Sequence, residues 1–311
     1  MRFGVVLGLY EPQLGLPAMI RRAQTAEQLG YDSLWAGDHI VIPNVVDQTP
    51  HYRDVGGTYP EGSEYLEPIT LLSFLAGQTR SIKLGVGVLV VPYRNPILAA
   101  KMLATVDVVS GGRLLAGVGA GWMREEFEVL RTPPYSERGR VTDDYIAVYK
   151  ALWTQDDPSF EGKHYSVSDF AFWPKPLQKP HPPIWVGGNG IAAMRRTAAL
   201  GDGWMPVYLS PADMATKIKE LRALYEKAGR DPATVTTAIG TRFRFTESAA
   251  GSDRHMITGT PRQMLDDVRR YQEAGVDEIH LLHRAGTIGE VPTEELVTNW
   301  RRFADEVRSR L

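Results

Sequence analysis

The residues best suited to proton chemistry are Asp38 and His39, which follow a predicted second strand over residues 32–36. An imidazole titrates near neutral pH, so it can donate or accept a proton. We predict that His39 is an acid or base and that the carboxylate of Asp38 orients it. The alternative is that His39 is a polar residue that only caps a loop.

A second pattern could bind an anion. Residues 184–186 predict a buried strand and residues 191–200 predict a helix. The strand is broken by four residues, Gly187, Gly188, Asn189 and Gly190. The N–H groups at a helix N-terminus favour phosphate, and glycine lets an anion approach the backbone closely. The alternative is a tight strand-to-helix turn that binds no ligand.

Glycines alternate with other small residues in two neighbouring predicted strands, at Gly85 and Gly87 in one and at Gly117 and Gly119 in the other. Successive side chains of a strand point to opposite faces, so each of these strands has one bare face. Repeated glycine in a strand suggests that another group approaches the backbone. Two bare faces together predict a slot for a planar ring, and tight packing inside a narrow barrel is the alternative.

The elements that position these residues predict an α/β fold. Eight predicted strands alternate with helices along 311 residues, without a repeat or a midpoint linker. This pattern indicates a single (β/α)8 TIM barrel domain over residues 1–311. We expect insertions between strand 2 and helix 2 (residues 40–66), before strand 5 (154–183) and after strand 7 (246–257). A doubly wound open sheet would need a glycine-rich fingerprint after the first strand, which residues 8–12 do not provide.

In such a barrel the site lies at the C-terminal ends of the strands. Tyr93 and Arg94 follow the third predicted strand and Trp122 follows the fourth. We therefore predict these three residues as substrate contacts. An ordinary surface position is the alternative for Arg94.

Composition excludes several classes of function. The chain has a net charge of -2 and no basic block, which argues against nucleic acid as a partner. It has no cysteine, so disulfides, thiolate zinc sites and cysteine nucleophiles are excluded. The histidines lack metal-ligand spacing, so we expect no catalytic metal. No stretch predicts a signal peptide or a membrane span, and we expect a cytoplasmic protein, with a homodimer as one possible assembly.

Several runs of residues resemble the luciferase-like monooxygenase superfamily, in particular its actinobacterial branch of oxidoreductases that use the deazaflavin coenzyme F420. The matching runs are LGYDSLWAGDH at 29–39, LGVGVL at 84–89, PYRNP at 92–96, LATVD at 103–107, SGGR at 110–113, GVGAGW at 117–122, PPIWVGG at 182–188 and GDGW at 201–204. In combination these runs are highly specific for the superfamily and less specific for the cofactor.

The resemblance implies a flavin-like ring at the C-terminal ends of strands two to four, with His39 beside it. It implies a non-prolyl cis peptide at Gly87–Val88 and a cofactor phosphate at residues 187–190. The implied cofactor contacts are Gly85, Gly87, Val88, Gly119, Gly187, Gly188, Asn189 and Gly190. Some deazaflavin dehydrogenases have an acidic residue where this chain has Trp122, and that difference argues against a sugar-phosphate dehydrogenase.

Three functions follow from the resemblance. The first is hydride transfer between coenzyme F420 and a small organic substrate. The second is an FMN-dependent monooxygenase, in which reduced FMN would react with oxygen beneath the loop at residues 40–66. The third is a flavin- or deazaflavin-binding protein without turnover.

Overall fold

The computed structural model describes residues 1–7, 15–42, 65–251, 253–283 and 291–311. Eight strand positions form a parallel barrel in chain order, each paired with the next. The barrel is closed because the last strand pairs with the first, with Arg2 beside Glu278 and Val5 beside Leu281. The predicted α/β TIM barrel is therefore confirmed.

The strands are β1 (Arg2–Val6), β2 (Ser33–Ala36), β3 (Lys83–Val86), β4 (Leu89–Val90), β5 (Leu114–Gly119), β6 (Phe160–Glu161), β7 (Ser166–Val167), β8 (Ile184–Gly187), β9 (Gly203–Met205), β10 (Thr236–Phe245), β11 (Thr258–Gly259) and β12 (Glu278–His283). The helices are α1 (Gly15–Gln28), α2 (Pro68–Gln78), α3 (Pro96–Val109), α4 (Arg124–Val129), α5 (Arg138–Thr154), α6 (Ile191–Leu200), α7 (Pro211–Lys227), α8 (Pro261–Glu273) and α9 (Thr293–Glu306). β3 and β4 together occupy the third barrel position, because β3 pairs with β2 and both segments pair with β5.

The described part of the chain has insertions at the predicted places before the fifth and after the seventh barrel strand. The segment before the fifth barrel strand contains β6 and β7, which form an antiparallel hairpin. β10 ends at Phe245, directly before the insertion predicted at residues 246–257, and β11 pairs with it. Most of the insertion at residues 40–66 lies outside the described residues. None of the helices in the described part of the chain has the length and apolar character needed to cross a membrane.

Four of the described helices begin with a residue whose side chain caps the first turn and is followed by proline, and Glu67 at the start of α2 is the first of them. Asn95 accepts hydrogen bonds from the amides of Ile97 and Leu98 at the start of α3, at 3.0 and 3.3 Å. Ser210 caps α7, and Thr260 forms a capping box at the start of α8. Such residues satisfy N–H groups that the first turn leaves unpaired, and proline suits the first helical position. In contrast, Gly190 precedes α6 and provides no side-chain cap.

Large aromatic side chains fill the barrel interior. The rings of Trp35 and His280 lie 4.4 Å apart, and those of Trp185 and His280 are stacked 6.0 Å apart at 2°. Trp35 donates a hydrogen bond from Nε1 to Ser33 Oγ at 2.7 Å, and Ser33 Oγ donates to the buried carboxylate of Glu278. Aromatic rings and a satisfied polar network therefore occupy the space that the interior glycines leave.

Candidate functional site

The central group at the C-terminal end of the barrel is the carboxylate of Glu126, in the first turn of α4. Its side chain is 0% exposed. Nδ1 of His39 lies 2.7 Å from Oε2, and the hydroxyl of Tyr93 donates to the same oxygen at 2.9 Å. The turns that follow the second, third and fourth barrel strands therefore meet at one carboxylate.

The second oxygen of Glu126 binds backbone. Oε1 accepts hydrogen bonds from the amides of Ile40 and Val41, at 2.9 and 3.2 Å. The carboxylate thus has four donors around it. It fixes the main chain directly after His39 as well as the imidazole itself.

These contacts set the ionisation of Glu126. Burial by itself would raise the pKa of the carboxyl group, but its hydrogen bonds with His39, Ile40 and Tyr93 outweigh burial and lower it. An ionised carboxylate can only accept hydrogen bonds. A hydrogen bond between such a carboxylate and Nδ1 of His39 forms only if Nδ1 bears a proton.

Asp38 has a different partner from the one we predicted. Arg94 donates from both terminal nitrogens to its two oxygens, at 2.7 and 2.8 Å, and the Val90 amide donates to Oδ2 at 2.8 Å. The prediction that Asp38 orients His39 is wrong, because the carboxylate that is hydrogen-bonded to the imidazole belongs to Glu126. The Asp38 side chain instead joins the end of β2 to the turn after β4.

Arg94, predicted as a substrate contact, binds carboxylates of the protein. Its side chain is 10% exposed, and Nη2 also donates to Glu67 at 2.7 Å. Burial would lower the pKa of the guanidinium, but Asp38 and Glu67 outweigh burial and raise it. Arg94 is a permanent cation within this group, and the structure shows it bridging Asp38 and Glu67.

Aromatic rings flank His39. The Tyr65 and Trp122 rings lie 5.8 and 6.1 Å from the imidazole and nearly perpendicular to it, at 80° and 81°. Tyr93 is buried and contacts Phe127 at 5.1 Å. Of the three predicted substrate contacts, Trp122 therefore lies beside His39, whereas Tyr93 binds Glu126 below the surface.

The third barrel strand contains the cis peptide Gly87–Val88 that the resemblance implies. Gly87 is exposed and Val88 is half-buried at the C-terminal end of the barrel. A Cβ added at Gly87 would lie 3.1 Å from Trp35 Cε3. Residues 87 and 88 thus form an open floor supported by Trp35.

Gly85 and Gly119 are explained by tight packing inside the barrel, which is the alternative to a slot for a planar ring. A Cβ at Gly85 would lie 2.3 Å from Trp35 Cε3, and one at Gly119 would lie 2.6 Å from Val88 Cγ2. Real side-chain carbons do not approach so closely, since optimal carbon separations are about 3.5–4.0 Å. These two glycines therefore make room for side chains of the protein.

The glycine-rich turn after β8 is open at its tip. Gly188, Asn189 and Gly190 are exposed, and Gly188 has a φ of +121°. The side chain of Asn189 both donates to and accepts from the backbone of Val207, at 2.8 and 2.9 Å. A Cβ at Gly187 would lie 2.5 Å from Val88 Cγ1. Gly187 therefore packs against the floor, and Asn189 joins this turn to the turn after β9.

The model of the luciferase-like monooxygenase family matches residues 1–251, which carry both the Glu126 group and the glycine-rich turn. The chain belongs to this family. The family consists of oxidoreductases that use different flavin-type cofactors. Membership therefore does not decide which of these cofactors this chain binds.

Three similar proteins illustrate this range. An FMNH(2)-dependent dimethylsulfone monooxygenase of Pseudomonas putida is 35% identical over 50% of this chain and 44% of its own. A phthiodiolone/phenolphthiodiolone dimycocerosates ketoreductase of Mycobacterium bovis is 31% identical over 89% of this chain and 70% of its own. The solved structure of an F420-dependent secondary alcohol dehydrogenase with an F420-acetone adduct has a TM-score of 0.79 and 17% identity, covering 99% of this chain and 98% of its own. That structure shows a shared fold.

Sequence reasoning missed Glu126 in this luciferase-like chain. The signal available was an acidic first turn, Glu125 and Glu126, in a helix that begins just after the fourth barrel strand. The helix has only six residues, and it contains a third glutamate at position 128. So short a segment gives no period that tells which of the glutamates is buried.

Proposed function

We propose that this protein is an oxidoreductase that binds coenzyme F420 and exchanges a hydride with a small alcohol or carbonyl compound. The observation that carries the proposal is the contact of His39 with buried Glu126 beside the open floor of Gly87 and Val88. Interconversion of an alcohol and a carbonyl requires a proton to leave or reach the oxygen. A positioned imidazole is well suited to that task.

The residues present fit a flavin-type cofactor. Gly87 is exposed and presents no side chain to a planar ring, and Val88 and Trp35 give the floor apolar support. Gly188 and Gly190 are exposed before an uncapped helix, where N–H groups favour a phosphate. A Cβ at Gly190 would meet nothing within 4 Å, so the turn has room for a ligand on that side.

When bound, a deazaflavin supplies or accepts the hydride. The protein's part is to hold the substrate oxygen and to move its proton. Nδ1 of His39 is bonded to Glu126, so Nε2 is the nitrogen that takes the proton from an alcohol or returns it to a carbonyl. Trp122 and Tyr65 flank the imidazole, whose side chain is 11% exposed.

The names of two similar proteins support this substrate class. One is a ketoreductase and the other is a secondary alcohol dehydrogenase, and both act at a carbon that bears oxygen. An FMN-dependent monooxygenase is the second candidate, because an FMNH(2)-dependent enzyme is 35% identical over half of this chain.

Binding distinguishes the two candidates. The protein is titrated separately with coenzyme F420 and with FMN, each followed by fluorescence. We expect tighter binding of F420 and oxidation of reduced F420 by a panel of small ketones, seen as a change in cofactor absorbance. Tight binding of FMN alone, with consumption of oxygen, would refute the F420 proposal in favour of the monooxygenase.

A substitution at Gly190 tests the phosphate site. The backbone there has a φ of -90° and open space, so Gly190→Leu should fold normally. It should nevertheless weaken cofactor binding at least tenfold, about 1.4 kcal/mol. Gly77→Leu is the matched control, because a Cβ at Gly77 on α2 also meets nothing within 4 Å. Equal affinity in both variants would place the phosphate elsewhere.

A further inference from the structure

The two oxygens of Glu126 differ in the kind of partner they bind. Oε1 accepts from the amides of Ile40 and Val41, and an amide N–H can only donate. Oε2 accepts from His39 and Tyr93, whose ring nitrogen and phenol oxygen can also accept hydrogen bonds. The direction of hydrogen bonding is therefore fixed at Oε1 and reversible at Oε2.

This asymmetry bears on which nitrogen of His39 carries the proton. A neutral imidazole has one N–H and one acceptor nitrogen, and the hydrogen bond at one nitrogen sets the state of the other. A carboxylate at Nδ1 requires the proton there. The lone pair is then on Nε2, where the proposed reaction needs it.

We propose that Glu126 is a positioning residue that selects the Nδ1–H tautomer of His39 and fixes the ring orientation. The catalytic importance of this role rests on the proposed function. In that reaction, the Nδ1–H tautomer leaves Nε2 as the nitrogen that accepts the substrate proton. Glu126 itself acts through His39 and is not proposed to touch the substrate.

Glu126→Gln separates this role from simple anchoring. The side-chain amide has one oxygen, and the donors Ile40 and Val41 require it. The NH2 group must then face His39 and Tyr93, where it donates to Nδ1. The His39 proton moves to Nε2, so the shape of the site is kept while the acceptor nitrogen is lost.

The tautomer can be measured without any cofactor. The protein is labelled with 15N-histidine, and ring nitrogens are observed by long-range 1H–15N correlation, with His39→Asn used to assign the signal. We expect Nδ1–H in the wild type and Nε2–H in Glu126→Gln. Glu128→Gln changes an exposed glutamate of the same helix and should leave the wild-type pattern.

Two results would overturn the proposal: a proton on Nε2 in the wild type, with or without one on Nδ1, or Nδ1–H retained in Glu126→Gln. The wild-type measurement stands even where Glu126→Gln does not fold. Tyr93→Phe is the second variant, because it removes one donor to Oε2 and keeps the carboxylate. It should keep Nδ1–H, and a change to Nε2–H would assign tautomer selection to Tyr93 instead.

Single-turnover kinetics with reduced F420 and a ketone test the consequence. Loss of an acid–base group lowers the rate of the chemical step by roughly 10²–10⁴-fold. We expect a decrease of this size in Glu126→Gln, with the cofactor Kd nearly unchanged. A role in anchoring alone predicts a weaker fold and a normal rate per folded molecule. Absence of ketone turnover in the wild type refutes the proposed function, whereas the tautomer measurement still decides the role of Glu126.

Discussion

Gly85→Ala should destabilise the barrel because the added methyl group has no space. Its Cβ would lie 2.3 Å from Cε3, 2.5 Å from Cζ3 and 2.6 Å from Cδ2 of Trp35. Trp35 is 1% exposed, and its indole packs against His280 at 4.4 Å and Trp185 at 5.4 Å. The indole therefore cannot move away without disturbing both rings. Overpacking of this kind typically costs about 1–3 kcal/mol.

The assay is equilibrium unfolding in urea, followed by far-UV circular dichroism. Gly77→Ala is the matched control, because its Cβ meets nothing within 4 Å on the exposed face of α2. Alanine is better than glycine in a helix by about 0.5–1 kcal/mol, so the control should raise the free energy of unfolding. The same substitution thus has opposite signs at the two positions.

A double-mutant cycle identifies the clash. Trp35→Leu removes the ring atoms nearest to the new methyl group, so Gly85→Ala should cost much less in that background than in the wild type. Wild-type stability in Gly85→Ala, or an equal cost in both backgrounds, would refute the packing explanation for this glycine. It would also return residue 85 to the proposed cofactor floor.

Three further predictions concern the floor and two buried charges. Gly87→Val should raise the cofactor Kd of the folded fraction at least tenfold, about 1.4 kcal/mol by titration, because its Cβ would lie 3.1 Å from Trp35 Cε3 and crowd the exposed floor and its support. Arg94→Ala should lower the free energy of unfolding in urea by about 3–5 kcal/mol, since Asp38 is then a buried carboxylate without its cation, and Arg94→Lys should cost less. Burial raises the pKa of Glu278, but His280, Ser33 and Arg2 outweigh burial and lower it. The stability that ionised Glu278 contributes is thus fully present above the unfolded pKa of about 4.3, and it is lost as pH falls through the lower folded pKa. In urea titrations, the difference in free energy of unfolding between the wild type and Glu278→Gln should therefore shrink below pH ~4.

The sequence by itself determined the barrel. Apolar strand segments alternate with helices, and the Asn95-Pro96, Ser210-Pro211 and Thr260-Pro261 pairs indicate helix starts that the structure has. These signals are local, since a cap or a strand period involves residues a few positions apart. The resemblance to the luciferase-like family added the position of the cis peptide at Gly87–Val88. No local pattern indicated it.

Only the tertiary structure decided which side chains are partners. His39 and Glu126 are 87 positions apart in sequence, and Asp38 and Arg94 are 56 apart. Sequence adjacency suggested that Asp38 orients His39, but strand geometry sends the two side chains to different neighbours. Closure of the barrel brings together the turns that follow neighbouring strands, and burial then requires each charge to find a partner across those turns. Which carboxylate is buried against which cation depends on that three-dimensional packing, and the sequence does not encode it at any fixed spacing.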